Sequence, residues 1–315
     1  MLLDSASLYF RAFHALPESI TAPDGTPVNA VRGFCDMVAR LVSDRRPSRL
    51  VACLDADWRP AFRVAAVPSY KEHRVGPDGG EAVPDALVAQ VPVIERVLDV
   101  LGIARLGVAG FEADDVIATL AAREPDPVEV VSGDRDLFGV VRDAGGGRGS
   151  VRVLYTGRGL ARLEVCGPAE VAARYGIPGR AYPDFAVLRG DPSDGLPGVV
   201  GVGDKTAAAL VSRFGSLPAL LEALDRGERD GFPAGARRRL TDARDYLDAA
   251  WQVVRAREDV PVPDPADMTD GLPAAPADPA ALVDLSTRWG LDSVLSRLLR
   301  ALRDAHPEAR PDRDG

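Results

Sequence analysis

VEVVSGD at residues 128–134 and LVACLDA at residues 50–56 are short apolar runs, each closing at or beside an aspartate. Runs of this length without strict alternation suit strands buried on both faces of a parallel sheet, where crossover helices cover both sides. Asp134 and Asp55 then fall at the carboxyl ends of their strands, the edge at which open α/β sheets gather their functional groups. Met1–Leu3 followed by Asp4 reads as the tail of a third such strand, so short for a central position that a late start or a truncated strand is expected. Residues 102–109 (GIARLGVA) and 151–155 (VRVLY) read as two more. Between the strands, residues 27–44, 84–101 and 112–123 repeat apolar side chains at helical spacing, with Pro27 and Pro84 suited to first-turn positions. Alternating strand and helix predicts an α/β domain on a mainly parallel sheet over residues 1–178.

After about residue 178 the pattern changes, and residues 181–189, 204–214, 217–225, 235–257 and 279–305 read as helices without an intervening strand. This predicts a second, helical domain over residues 179–305. The Pro-, Ala- and Asp-rich stretch 261–279 is expected to be an extended connector, and residues 306–315 a flexible charged tail. Segment 71–92, KEHRVGPDGGEAVPDALVAQVP, holds a Gly and Pro cluster that unsettles regular structure and reads as a mobile loop over the sheet edge.

With 46% hydrophobic residues, a chain of 315 can bury a sizeable core. No apolar run of about 18 residues offers a membrane span, and the N-terminus lacks the pattern of a signal peptide, so a soluble intracellular protein is expected. Cys35, Cys53 and Cys166 are odd in number, far apart and without metal-ligand spacing, which points to buried small hydrophobes rather than a disulfide framework or a zinc site. A net charge of -9 argues against a nucleic-acid binder, whose phosphate affinity comes from clustered Lys and Arg. Nine acids account for that excess: set apart from the 47 Asp and Glu, they leave as many acids as the 38 Lys and Arg.

Those nine are Asp4, Asp55, Glu112, Asp114 and Asp115 (in GFEADD), Asp134 and Asp136 (in SGDRD), and Asp191 and Asp194 (in GDPSD). Taken alone, EADD is an acidic first turn that complements a helix dipole, and GDRD is a strand-to-helix cap. Together with strand-ending Asp4 and Asp55 they converge on one edge, where carboxylates repel one another unless cations fill the space between them. Oxygen ligands without His or Cys suit Mg²⁺ or Mn²⁺. Two such ions roughly 3.5–4 Å apart activate a water and stabilise the leaving oxygen of a phosphodiester.

LPGVVGVGDKTAAALVSRFGS, residues 196–216, reads as turn, glycine hairpin and helix. Gly198, Gly201 and Gly203 let backbone approach a ligand closely, and the helix opening near Asp204 turns free N–H groups outward, where a phosphate binds. Such contacts position a duplex without reading its sequence.

These blocks, with LDSASLYFRAFHAL at 3–16, DGTPVNAVRGF at 24–34, LDADWRPAFR at 54–63 and YKEHR at 70–74, resemble the 5′ nuclease domain of bacterial DNA polymerase I and the wider 5′-3′ exonuclease and flap endonuclease family, in a free-standing form. The resemblance implies a PIN-like α/β domain joined to a helical domain with a helix-hairpin-helix (H3TH) motif. It implies two Mg²⁺ ions, with Mn²⁺ as a substitute, and structure-selective cleavage of DNA bearing 5′ flaps, nicks or 5′ ends in replication and repair. A cytoplasmic, nucleoid-associated monomer working beside a DNA polymerase, with no membrane partner, is the corresponding setting. Carried over by position, Asp4, Asp55, Glu112, Asp114 and Asp115 resemble the first metal site, and Asp134, Asp136, Asp191 and Asp194 the second. Lys71 and Arg74 match a basic pair on an arch, here segment 71–92, that contacts the scissile phosphate, and Arg11 matches an early phosphate-binding arginine. Tyr70 is expected to stack on a displaced base or to pack, Gly198, Gly201, Gly203, Lys205 and Thr206 to hold DNA, and a K⁺ to sit near Val199 to Val202. Two positions depart from the pattern: Ser5 replaces a Gly, and Gly195 replaces an Asn, which is expected to loosen Asp194. The complete acid set argues against a non-cleaving junction-binding scaffold, and the hairpin against a PIN-type ribonuclease.

Overall fold

The computed structural model describes residues 1–264 and 266–306, so all but the first residue of the expected tail lies outside the described residues. In chain order the elements are β1 (Leu2–Asp4), α1 (Ser5–Ala15), α2 (Asn29–Arg45), β2 (Val51–Cys53), α3 (Ala61–Ala66), α4 (Asp85–Val88), α5 (Val91–Leu101), β3 (Ala104–Leu106), α6 (Ala113–Arg123), β4 (Val128–Ser132), β5 (Val151–Tyr155), β6 (Glu164–Cys166) and α7 (Pro168–Tyr175). Then follow α8 (Tyr182–Arg189), α9 (Asp204–Phe214), α10 (Leu217–Asp225), α11 (Ala236–Asp242), α12 (Arg244–Val254), α13 (Pro279–Trp289) and α14 (Asp292–Ala305).

The strands form one sheet in the order β3-β2-β1-β4-β5-β6, parallel throughout except for β6, which joins β5 antiparallel. β1 is central although only three residues long, pairing with β2 on one side and β4 on the other. Asp4, Asp55 and Asp134 therefore leave three neighbouring strands at the same edge. The antiparallel β6 and helices α1, α3 and α7 were not read from the sequence.

Three long helical stretches are broken, residues 235–257 at Ala243 between α11 and α12, and the other two for identifiable reasons. Residues 84–101 divide into α4 and α5 around buried Gln90. Its side-chain oxygen accepts from the free Ala30 N–H at 2.8 Å and the Val31 N–H at 3.3 Å, and its amide donates to Asn29 Oδ1 at 3.0 Å, so the break supplies the cap of α2. Pro27 lies ahead of that helix rather than in its first turn. Residues 279–305 divide at Gly290, whose φ of 62° places it in the left-handed region that ends α13.

The main departure from expectation concerns α13 and α14. They do not join α8–α12 but cross back to the opposite face of the sheet, where Leu295, Leu298 and Leu302 share a core with Leu8, Phe34, Val38 and Leu98. An amphipathic stripe states that a helix buries one face, not which surface receives it. The preceding connector is pinned in extended form, with the Leu50 N–H donating to Asp270 O at 2.9 Å and the Leu272 N–H to Ser48 O at 3.1 Å. The other face carries α6 and then α8–α10 and α12, whose Phe185, Leu210 and Leu247 continue the core built on Val116, Ile117 and Phe138. All three cysteines are buried and free. Among the described residues no single helix is long and apolar enough to cross a membrane.

Candidate active site

The ends of β1, β2 and β4 and the start of α6 surround a cavity of about 220 Å³ lined by Asp4, Asp55, Glu112, Asp114 and Asp134, with Lys71 and Arg74 at its side. Lys71, Glu112, Asp114 and Asp134 also line an adjoining recess that adds Asp136 and Asp194. Seven of the nine carboxylates thus share one cleft, and Asp134 faces both parts of it.

Local hydrogen bonds fix four of these acids. Asp4 caps α1 by accepting from the Ser7 N–H at 3.1 Å and also accepts from Ser132 Oγ at 2.5 Å. Asp55 accepts from the Ala113 N–H at 2.7 Å, which ties β2 to the first turn of α6. Glu112 is the N-cap of α6 and accepts from the Tyr70 hydroxyl at 2.9 Å, from Arg63 and from Lys71. Asp134 accepts from the Asp136 N–H at 2.9 Å. Among the described residues no three of these side chains close round a single point tightly enough to enclose an ion. Glu112 in particular is held by Lys71 and Arg63.

The crowding shows in the acidities. Burial, aided by Asp55 and Asp134, pushes the Asp4 carboxyl up to about 7 even though Ser132 and Ser7 favour its ionised form. Burial and the charges of Asp134 and Asp4 raise Asp114 well above the carboxylate range, and burial with Asp134 and Asp194 does the same for Asp136. Glu112 is raised by burial, against the opposing pull of Lys71 and Arg63. Burial opposes the charge on Lys71, but Glu112 and Asp194 outweigh it and hold the ammonium above its ordinary value.

Two of the nine acids lie outside the cleft lining. Asp115 is fully buried and accepts two prongs of Arg63, at 2.8 and 2.7 Å, together with the Arg257 N–H at 2.8 Å. Its lone pairs are spent on the fold, and it completes the capping box with Glu112. Asp191 accepts from Ser193 through both its N–H, at 2.9 Å, and its hydroxyl, and caps the turn Pro192–Asp194. It stays close enough for its charge to raise Asp136.

Of the two roles expected of Tyr70, stacking on a base or packing, the structure favours packing. With 3% of its surface exposed and its hydroxyl on Glu112, the ring has no free face for a base. It positions Glu112. Gly195 does not leave Asp194 loose. The Lys71 N–H donates to Asp194 O at 3.0 Å and Ser69 Oγ to Gly195 O at 2.9 Å, clamping the two segments together. With φ at 71° and Ser69 O only 2.1 Å from where a Cβ would stand, this backbone has no room for another residue. Arg74 reaches Ser193 O at 2.7 Å and Asp194 Oδ1 at 3.6 Å. Arg11 lies half-buried on α1 near Gly133.

Arg63 was missed from the sequence. It is 3% exposed, binds Glu112 and Asp115, and donates to Val253 O at 2.8 Å, joining α3, α6 and α12 beneath the cleft. Its place in LDADWRPAFR was the available signal, hidden by the abundance of arginine.

The glycine hairpin is rooted beside the recess, with the Val199 N–H donating to Leu188 O at 3.0 Å and the Gly198 N–H to the Tyr246 hydroxyl at 3.0 Å. Val200 stands 90% exposed at its tip. Gly203 is the N-cap of α9 with open space where a Cβ would go, Lys205 is exposed and Thr206 half-buried on the first turn. Arg239 donates to Gly201 O at 3.0 Å.

Residues 1–176 match the family model described as 5′-3′ exonuclease, N-terminal resolvase-like domain, and residues 177–277 the model described as 5′-3′ exonuclease, C-terminal SAM fold. A 5′-3′ exonuclease of Streptomyces coelicolor is 55% identical over 308 residues, covering 96% of this chain and 99% of the relative. A 5′-3′ exonuclease of Mycobacterium tuberculosis is 53% identical over 313 residues, covering 96% and 97%. Among solved structures, the bacteriophage T5 D15 flap endonuclease in a complex with DNA and metal ions superposes with a TM-score of 0.61 over 97% of this chain and 98% of that one, at 15% identity, a likeness of fold.

Proposed function

Because the chain belongs to the 5′-3′ exonuclease family, we propose that it hydrolyses DNA phosphodiester bonds at and near 5′ ends, as a structure-selective 5′-3′ exonuclease and flap endonuclease of replication and repair. The observation that carries this reading is the single cleft at the carboxyl edge of a parallel sheet, where seven carboxylates meet Lys71 and Arg74. Asp4, Asp55, Glu112 and Asp114 on one side, and Asp134, Asp136 and Asp194 on the other, would hold two Mg²⁺ or Mn²⁺ ions. Donor chemistry fits: every donor is a hard oxygen, and acids kept from ionising by burial and by one another lack the positive charge that would balance them. When bound, such ions supply an activated water and stabilise the leaving oxygen.

Lys71 and Arg74 then meet the non-bridging oxygens of the scissile phosphate and stabilise the charge that develops there. Asp115, Asp191, Arg63 and Tyr70 hold the acids in place. Gly198, Gly201, Gly203, Lys205 and Thr206 grip the duplex through its phosphates, with K⁺ near Val199 to Val202 as a further part of the proposal. The enzyme acts as a cytoplasmic monomer alongside a DNA polymerase. Labelled flap, nicked, blunt and single-stranded DNAs, with a matched RNA flap, test the reading. Mg²⁺-dependent cleavage of the DNA flap, lost in chelator and poor on RNA, is expected; no cut in any DNA with Mg²⁺ or Mn²⁺ would refute it.

The raised acidities give this proposal a signature in stability. An acid whose folded pKa lies above its unfolded value binds the proton more tightly when folded, so without divalent ions stability falls as pH rises from about 4 through the Asp4 value of about 7. Mg²⁺ replaces those protons. Its addition is expected to raise the melting temperature by several degrees near pH 8 and by much less near about pH 5. Equal shifts at both would disconnect the carboxylates from the metal.

A further inference from the structure

Arg189, the last residue of α8, touches both the second group of acids and the hairpin motif. Its Nη2 lies 3.4 Å from Asp191 Oδ2, while its Nε donates to Gly190 O at 3.0 Å and lies 3.8 Å from Asp204 Oδ1. The guanidinium is seated over the Phe185 ring, 5.1 Å from its centre. The two carboxylates differ in setting. Asp191 is buried, and the Ser193 N–H and hydroxyl both donate to its Oδ1, so Oδ2 is the oxygen that Arg189 meets. Asp204 has 74% of its side chain exposed and opens α9, whose first turn receives no side-chain cap. The backbone around Arg189 has no slack: Asp191 and Leu196 exchange hydrogen bonds at 3.0 and 2.9 Å, and a Cβ on Gly198 would stand 2.5 Å from Arg189 O. What can change partners is the arginine side chain, whose two ion-pair contacts are both longer than a good charge-assisted bond.

We infer that Arg189 is a positioning residue that couples DNA at the start of α9 to the second group of acids. It screens Asp191 until a phosphate at that helix end draws the guanidinium over, and Asp191 Oδ2 is then free for the divalent ion of Asp134, Asp136 and Asp194. A helix N-terminus attracts phosphate through its N–H groups and dipole, but the charge of Asp204 opposes it there; a guanidinium beside Asp204 offsets that charge and adds a planar pair of donors. The charge of Asp191 already reaches the cleft: burial is the main cause that raises Asp134 and Asp136, and Asp191 adds to both. Drawing a cation away from Asp191 therefore makes the second group more attractive to a divalent ion. Such coupling is reciprocal, so the ion tightens the grip on DNA by the factor by which DNA tightens the ion.

The inference rests on the DNA-cleaving, metal-dependent reading, but its test does not require cleavage. Binding of Mn²⁺ without DNA, followed by the paramagnetic signal of the free ion, is measured for wild type, Arg189→Met, Asp204→Asn and the double variant; binding of a fluorescent 5′-flap DNA is measured in EDTA over a range of salt. Arg189→Met keeps an apolar stem on Phe185 and is expected to bind Mn²⁺ about fivefold more tightly than wild type, because Asp191 is unscreened. It is expected to bind DNA more weakly, with a salt slope lower by about one. An arginine that only supported the fold would act the other way on the ion, since a loosened Asp191 weakens the site. Asp204→Asn alters an exposed side chain and leaves Arg189 to Asp191, so it should weaken Mn²⁺ about threefold, and have no effect when Arg189→Met is already present. Mn²⁺ affinity that is unchanged or lowered in Arg189→Met overturns the inference, as does an Asp204→Asn effect that persists in the double variant. If Arg189→Met does not fold, Asp204→Asn decides alone, and wild-type Mn²⁺ affinity in it overturns the inference. Failure of wild type to bind Mn²⁺ at all overturns instead the reading on which it rests.

Discussion

Asp136→Ala is expected to lower cleavage of a 5′-flap DNA by about a thousandfold or more, while binding of the same DNA in EDTA stays within about threefold. A catalytic divalent ion supplies several kcal/mol of transition-state stabilisation, and about 4 kcal/mol corresponds to a thousandfold in rate. Asp136 suits the test because, among the described residues, its side chain holds no part of the backbone and shares a hydrogen bond only with Asp194, another cleft acid. It opens the short turn Asp136–Val140, but the cap position is Arg135 and no side-chain bond caps that turn. Removing the carboxylate also relieves repulsion from Asp134, Asp194 and Asp191. The variant should therefore melt no lower than wild type, and slightly higher without metal. Single-turnover cleavage with Mg²⁺, read beside a thermal melt, decides the matter. Activity within about tenfold of wild type would remove Asp136 from the chemistry; loss of activity together with loss of folding would make it a structural residue.

That separation of chemistry from structure marks where the sequence was readable. Apolar runs ending in Asp4, Asp55 and Asp134 located the sheet edge, because a fully buried strand allows few polar residues except at its end. The start of α6 was misleading. Glu112 and Asp115, three apart, do share a helix face as their spacing implies, but Arg63 occupies that face: Glu112 still reaches the cleft while Asp115 does not, and Asp114, about 100° round the helix from Asp115, lines the cleft as well. Spacing says which side chains travel together, not which neighbour they meet. The same limit hid the destination of α13 and α14 and left Tyr70 open between stacking on a base and packing, which its place in the core decides for packing. Gln90 shows the reverse case: a polar residue at a helix break could be understood only once the N-terminus of α2 lay beside it.

Arg63→Ala is expected to destabilise the fold by about 3–5 kcal/mol, the range for removing one partner of a buried ion pair and leaving the other uncompensated. Here one guanidinium answers two carboxylates, Glu112 and Asp115, and also satisfies Val253 O, so its removal orphans groups on α6 and α12 together. For a chain of this size each kcal/mol moves the melting temperature by about 2–4 °C, so a fall of roughly 10 °C is expected in EDTA. The cause is distinguishable from a lost packing contact. If orphaned charge dominates, adding Asp115→Asn to Arg63→Ala should recover part of the loss, although Asp115→Asn alone is destabilising, and the two changes should couple by more than about 1 kcal/mol in a double-mutant cycle. Additive effects would reduce Arg63 to filler. Lysine should rescue poorly, because a point charge cannot span the two oxygens of Asp115 held at 2.8 and 2.7 Å. Glu112 then carries the consequence into the cleft: with Arg63 gone, Lys71 is the only cation in contact with it among the described residues, and Lys71 is the residue that must be free to meet the scissile phosphate. Arg63→Ala protein that remains folded at low temperature should therefore cut slowly with its DNA affinity largely kept.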